Sequence, residues 1–193
     1  MPGKREQQKA RTRERIAAAA MEVYAEQGFS APTADIARKA HVSHGSIFVH
    51  FSTVENLHTH VLEIFSQDIK TELHSLSDND IETLLGKHID VLIKNEAFYK
   101  RLVTEAAQLP EEAKNTFITI QSTLSIHFLQ ALESEMTAGR IKAIPLHLLF
   151  NTWLGLVHYY LLNSELFAPQ GSVLQRHKNT LIECYMALIT QQP

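Results

Sequence analysis

Between Thr33 and Leu57 the chain reads TADIARKAHVSHGSIFVHFSTVENL, two short helical patterns on either side of a two-residue turn. Thr33 follows Pro32 and is expected to N-cap the first helix, with Asp35 in the first turn, where the helix dipole favours a negative charge. Ile36, Ala37 and Ala40 give that helix a small apolar inner face. His41 and Val42 form the turn, Ser43 is placed to cap the second helix, and Ile47 and Phe51 lie four apart on its inner face. His44, Gly45, Ser46, Val49 and His50 then point outward. A short helix with small or hydrogen-bonding side chains at its exposed N-terminal end fits a DNA major groove.

In register over about 30 residues, this stretch resembles the DNA-binding domain of the TetR family of transcription regulators. The matching residues are Gly28-Phe29, Thr33, Ile36-Ala37, Ala40, Val42-Ser43, Gly45, Ile47, His50-Phe51, Glu55 and Leu57. The resemblance covers roughly residues 8–58 and implies an all-α chain: an N-terminal three-helix helix-turn-helix domain, then a helical ligand-binding and dimerisation domain. The expected division is 1–57 for DNA reading, with a basic N-terminal arm, and 58–193 for the effector and the dimer.

Three positions depart from the family pattern. His41 stands where glycine is usual, in a turn that wants a left-handed backbone, at about 1 kcal/mol for a non-glycine residue. Phe48 replaces a tyrosine and Val54 a lysine, so a hydroxyl and an ammonium that reach phosphates are missing. The expected consequence is weaker, less salt-sensitive operator binding, not lost function. Within the resemblance, Ser43, His44 and Ser46 approach base edges, and Gly45 lets the helix come close. Phe48 takes the tyrosine's place, and Thr33 and His50 contact phosphates. Lys4, Arg5, Lys9 and Arg11 add sequence-independent attraction.

Charge is unevenly distributed. Residues 1–15 hold six basic residues against Glu6 and Glu14, a local +4, whereas residues 57–193 carry ten basic and fifteen acidic residues. A basic segment thus adjoins the reading helix and the remainder is acidic. The single cysteine, Cys184, rules out an internal disulfide; it suits a reducing cytoplasm and reads as a packed thiol. No signal peptide and no 18-residue apolar span is evident, so a cytoplasmic protein without membrane contact is expected.

Hydrophobic periodicity and punctuation predict about nine helices. The first covers about 6–27 and stops at Gly28; the fourth, about 54–74, carries Leu57, Val61, Ile64 and Phe65. A polar break over 75–80 precedes helices of about 80–94, 97–108 and 111–138. Two strongly apolar helices, about 145–167 and 173–190, end the chain. They hold more apolar surface than one core needs, and Gly155 invites close helix approach at about 1 kcal/mol relative to alanine. By the family resemblance these two helices pair with their symmetry mates in a homodimer, with Gly155, Tyr160, Leu174, Leu181, Tyr185 and Leu188 as candidate interface residues. A two-fold dimer also suits DNA reading, since one short helix contacts too few base pairs.

The resemblance further implies a small-molecule cavity in the body. Candidates are Phe65, His88, Phe98, Tyr99, Phe117, Gln121, Leu124, Trp153 and His158, aromatic rings with a few hydrogen-bonding groups suited to a mostly apolar effector. Aromatics at helical spacing are more often core than pocket, and Gln121 and His158 are the sharper candidates, since a polar group on an apolar face needs a partner or a ligand.

Eleven histidines raise a metal site, but no His-x-x-x-His or Cys-x-x-Cys pair occurs. No cofactor is indicated. Glycine-rich phosphate loops and a Gly-x-Ser-x-Gly elbow are missing, and no enzyme is expected. Two classes of function stand: a ligand-responsive dimeric repressor of a palindromic DNA operator, or an all-helical protein whose body binds a protein partner.

Overall fold

The computed structural model describes residues 3–74 and 80–191; most of the predicted polar break, 75–79, lies outside the described residues. Among the described residues ten α-helices follow one another: α1 (Lys4–Gln27), α2 (Thr33–Lys39), α3 (His44–His50), α4 (Val54–His74), α5 (Ile81–Lys94), α6 (Glu96–Glu105), α7 (Glu111–Thr137), α8 (Leu146–Leu162), α9 (Ser164–Phe167) and α10 (Val173–Ile189). The one β-type pairing among the described residues is an isolated bridge between Ile141 and Thr190. Two compact units emerge, Met1–Ser66 with Ala97–Phe117, and Gln67–Glu96 with Ile118–Pro193. Neither is continuous in sequence.

In the first unit, α1 begins with Glu6 folding back to accept the Gly3 N–H at 3.0 Å. Ile16, Ala17, Ala19, Ala20, Val23 and Tyr24 form its buried stripe, and the small alanines let α2 and α3 pack closely on it. The turn after α2 has the anticipated geometry, with His41 at φ 51 and Val42 N–H donating to Ala37 O at 3.0 Å. Gly28 has φ 88, and a Cβ there would lie 2.5 Å from Glu105 Oε1. Glu105, from the end of α6, accepts the Phe29 N–H at 2.8 Å, and the Phe98 ring lies 5.7 Å from that of Phe29. These contacts are what draw residues 97–117 to the same unit as the head.

In the second unit, α10 packs against α5 and α8. Asp80 caps α5 by accepting Thr83 N–H at 2.8 Å, and Ser172 caps α10 by accepting Gln175 N–H at 2.9 Å. Glu96 completes the α10 N-terminus, where its carboxylate accepts from Val173 N–H at 3.0 Å, Leu174 N–H at 3.2 Å and the Ser172 hydroxyl. The predicted helix 145–167 is two helices. It breaks at Asn163, whose φ −105 and ψ 30 are non-helical and whose Nδ2 donates to Tyr159 O at 2.8 Å.

Candidate nucleic-acid interface

The short helix α3 lies on α1 and α2 through Ile47, which is fully buried, with Phe51 buried just beyond its end. That anchoring leaves Ser43, His44, Gly45, Phe48 and Val49 exposed, and Ser46 and His50 partly so. The chain itself orders several of these side chains. Ser43 Oγ and Ser46 Oγ are 2.7 Å apart, and His44 Nε2 is 2.8 Å from Thr33 Oγ1. The His44 ring also meets the Phe48 ring edge to face at 5.5 Å. A pre-ordered donor set loses less entropy on meeting a base edge than a mobile one.

Two details differ from expectation. Pro32, not Thr33, is the N-cap of α2; Thr33 is the first helical residue, and its hydroxyl is thereby available to His44. Ser43 does hold the N-cap position of α3 but makes no capping bond, its hydroxyl being engaged by Ser46. Gly45 has no atom of the chain within 4 Å of where a Cβ would sit, so nothing in the fold demands a glycine there.

The basic segment is helical. Lys4, Arg5, Lys9 and Arg11 are exposed along the first turns of α1. Arg13 behaves differently, and composition alone did not single it out. Its Nη1 donates to His50 O at 2.6 Å and its guanidinium lies 4.2 Å over the Phe51 ring, which pins the C-terminal end of α3 to α1. Burial, with Lys9 and Arg13 nearby, holds the His50 imidazole below its ordinary pKa and therefore neutral at pH 7. Val54 is half-buried at the start of α4 and offers no charge to a phosphate.

Residues 16–59 match the family of bacterial regulatory proteins, tetR family. These residues form a TetR-family DNA-binding head. The head is a helix-turn-helix DNA-binding domain built from α1, α2 and α3. A comparison with curated protein sequences returned no match. Among solved structures, a TetR-family regulator from Agrobacterium tumefaciens superposes with a TM-score of 0.79 at 18% identity, covering 95% of this chain and 100% of that one. The ketosteroid transcriptional regulator KstR2 of Mycobacterium tuberculosis gives 0.77 at 16%, covering 93% and 95%. FadR from Bacillus subtilis, solved in complex with stearoyl-CoA, gives 0.72 at 21%, covering 90% and 97%. At these identities the likeness is one of fold.

The nine candidate effector residues fall into two groups. Phe65, Phe98, Tyr99 and Phe117 belong to the first unit, where the Phe65 ring lies 5.5 Å from Phe98 and 5.8 Å from Tyr99. His88, Gln121, Leu124, Trp153 and His158 belong to the second. There Trp153 Nε1 donates to His88 Nδ1 at 3.0 Å, and the Trp153 ring is 5.3 Å from Tyr185. Accepting that bond requires the neutral ring with its proton on Nε2, and burial pushes the His88 pKa down to about 3. Gln121 and His158 are half-buried, and burial lowers the His158 pKa as well.

The candidate dimer residues need correction. Leu174, Leu181 and Tyr185 are buried within the chain, and Tyr185 OH donates to Leu149 O at 2.9 Å. Their stripe faces α5 and α8, so they present no surface to another copy. Gly155 and Leu188 are exposed, and Tyr160 is half-buried with its ring stacked 4.4 Å from Phe167. The exposed face of α8 instead runs through Leu148, Thr152, Gly155, Tyr159 and Leu162, at alternating steps of four and three. On α10, Cys184 is exposed rather than packed, one turn before Leu188. Among the described residues no helix is long and apolar enough to cross a membrane, and no group of three His, Cys, Asp or Glu is placed to hold a metal.

Proposed function

We propose that this chain is a ligand-responsive homodimeric repressor that reads a palindromic operator through α3 and is released by a small, mostly apolar effector. Reading is assigned to residues 1–57, and effector binding and dimerisation to 58–193. The observation that carries the proposal is the ordered, outward-facing set of Ser43, His44 and Ser46 beside the exposed Lys4, Arg5, Lys9 and Arg11. Dimerisation through Leu148, Gly155, Tyr159, Leu162 and Leu188 would bring two reading helices onto successive half-sites. An effector shifts the population towards a spacing that no longer matches them.

The apolar character of the effector is supported by the aromatic groups of both units and by the acyl-CoA bound to the B. subtilis neighbour. The test is selection of duplexes from a random pool by the full-length protein, followed by release with acyl-CoA and steroid panels. A recovered palindrome is expected. Enrichment of nothing above background would remove the DNA-reading role and favour a protein-binding body.

A further inference from the structure

A cleft of about 290 Å³ lies at the C-terminal end of the reading helix, and none of the candidate effector residues lines it. Its walls come from four helices: Arg13 of α1, His50 of α3, Asn56, Thr59, His60 and Glu63 of α4, and Glu112 of α7, with Phe51 and Ser52 closing one side. All of these belong to the first compact unit.

Two of its lining residues each hold a buried polar atom without a hydrogen-bond partner, His50 Nδ1 and Thr59 Oγ1. Thr59 is the more telling, because only 8% of it is exposed. Thr12, Thr71, Thr104, Thr116, Thr123 and Thr190 all return their hydroxyls to the carbonyl four residues back, at 2.7 to 3.1 Å. Thr59 sits in a regular stretch of helix and does not, so its hydroxyl is unserved where a buried group ordinarily is served. An unpaired buried hydroxyl is destabilising, and an occupant of the cleft would relieve that cost.

The walls also define the occupant's charge. Glu63 and Glu112 face one guanidinium, and that of Arg13 is already engaged by His50 O and the Phe51 ring. Those two carboxylates against that one guanidinium leave one negative charge in excess. His50 is kept neutral by its burial and by Lys9 and Arg13, so a ring nitrogen can serve as an acceptor. His60 is turned towards Glu63 at 3.1 Å.

We propose that this cleft is a second ligand site, for a small organic cation bearing N–H donors, a primary ammonium. Thr59 Oγ1 and His50 Nδ1 accept two of its N–H groups and the Glu63 and Glu112 carboxylates balance its charge. Such a ligand touches α1, α3, α4 and α7 together, so its occupancy stiffens the mounting of the reading helix. The site is independent of the apolar effector proposed for the body.

The test is titration of the full-length protein with n-butylammonium chloride at constant ionic strength, followed by NMR at Thr59 and His50. Tetramethylammonium chloride, equal in charge but without N–H groups, is the control. Saturable shifts with n-butylammonium and none with tetramethylammonium are expected. Thr59→Val and the surface change Glu63→Gln should each weaken the apparent Kd by about tenfold or more. Lack of saturation, an equal response to both cations, or a Kd unchanged in both variants would overturn the proposal; the last would mean that water serves the hydroxyl.

Discussion

Thr33 Oγ1 and His44 Nε2 lie 2.8 Å apart, so the first residue of α2 orients the first residue of α3. The bond exists because Pro32 takes the cap position and leaves the Thr33 hydroxyl unused by its own helix. His44 should therefore contribute to base reading as a fixed group. His44→Ala is expected to weaken binding to the selected operator by about 1–3 kcal/mol and binding to random duplex scarcely at all. Thr33→Val should reproduce part of that loss. Fluorescence anisotropy with both duplexes decides it: equal losses on the two would remove His44 from base reading.

Gly45 gives a prediction in which stability and binding move in opposite directions. No atom of the chain opposes a Cβ there, and alanine is favoured over glycine within a helix by about 0.5–1 kcal/mol. Gly45→Ala should raise the Tm while lowering operator affinity, since the added methyl meets the groove. Unchanged affinity would show that α3 does not approach DNA at this point.

The dimer is best probed by comparing two leucines of α10. Leu188 is 59% exposed and Leu181 only 2%. Leu188→Glu should yield a folded monomer with diminished operator affinity, read by sedimentation. Leu181→Glu should instead unfold the chain, because an unpaired charge in the core costs several kcal/mol. A Leu188→Glu dimer would move the interface off α10.

His88 makes stability depend on acidity. Its pKa falls from an ordinary 6.5 to about 3 in the folded chain, so the unfolded chain binds the proton first. Its contribution is fully present above about 6.5 and is lost as pH falls towards about 3, at about 1.4 kcal/mol per pH unit within that window. Trp153, the one tryptophan, is bonded to His88, so urea titrations followed by its emission read this directly. His88→Gln should flatten the dependence. A slope equal to the wild type would assign the acid sensitivity to other groups.

The head was legible because its information is local. Gly28, the alanines of α2, the left-handed turn at His41 and the Ile47–Phe51 pair act within a few residues of one another, and each has the geometry that its place in the motif implies. The exposed set on α3 follows from the same short-range pattern. Helical periodicity likewise located the later helices, apart from the break at Asn163, where Asn and Ser punctuate an otherwise apolar run too weakly to stand out.

Which face of an apolar helix meets which neighbour is a different kind of fact. Leu181 and Leu188 are alike in sequence and seven positions apart, yet one faces α5 and α8 and the other solvent. An exposed face with Gly155 and Tyr159 looks no different, as a string of residues, from a buried one. Glu105 filling the space at Gly28 and Arg13 turning in to His50 and Phe51 both depend on helices distant in sequence. Backbone propensity and hydrophobic period act along the chain and are written in it; the choice among several equally apolar faces, and the placing of polar groups between helices, arise only when packing brings distant residues together.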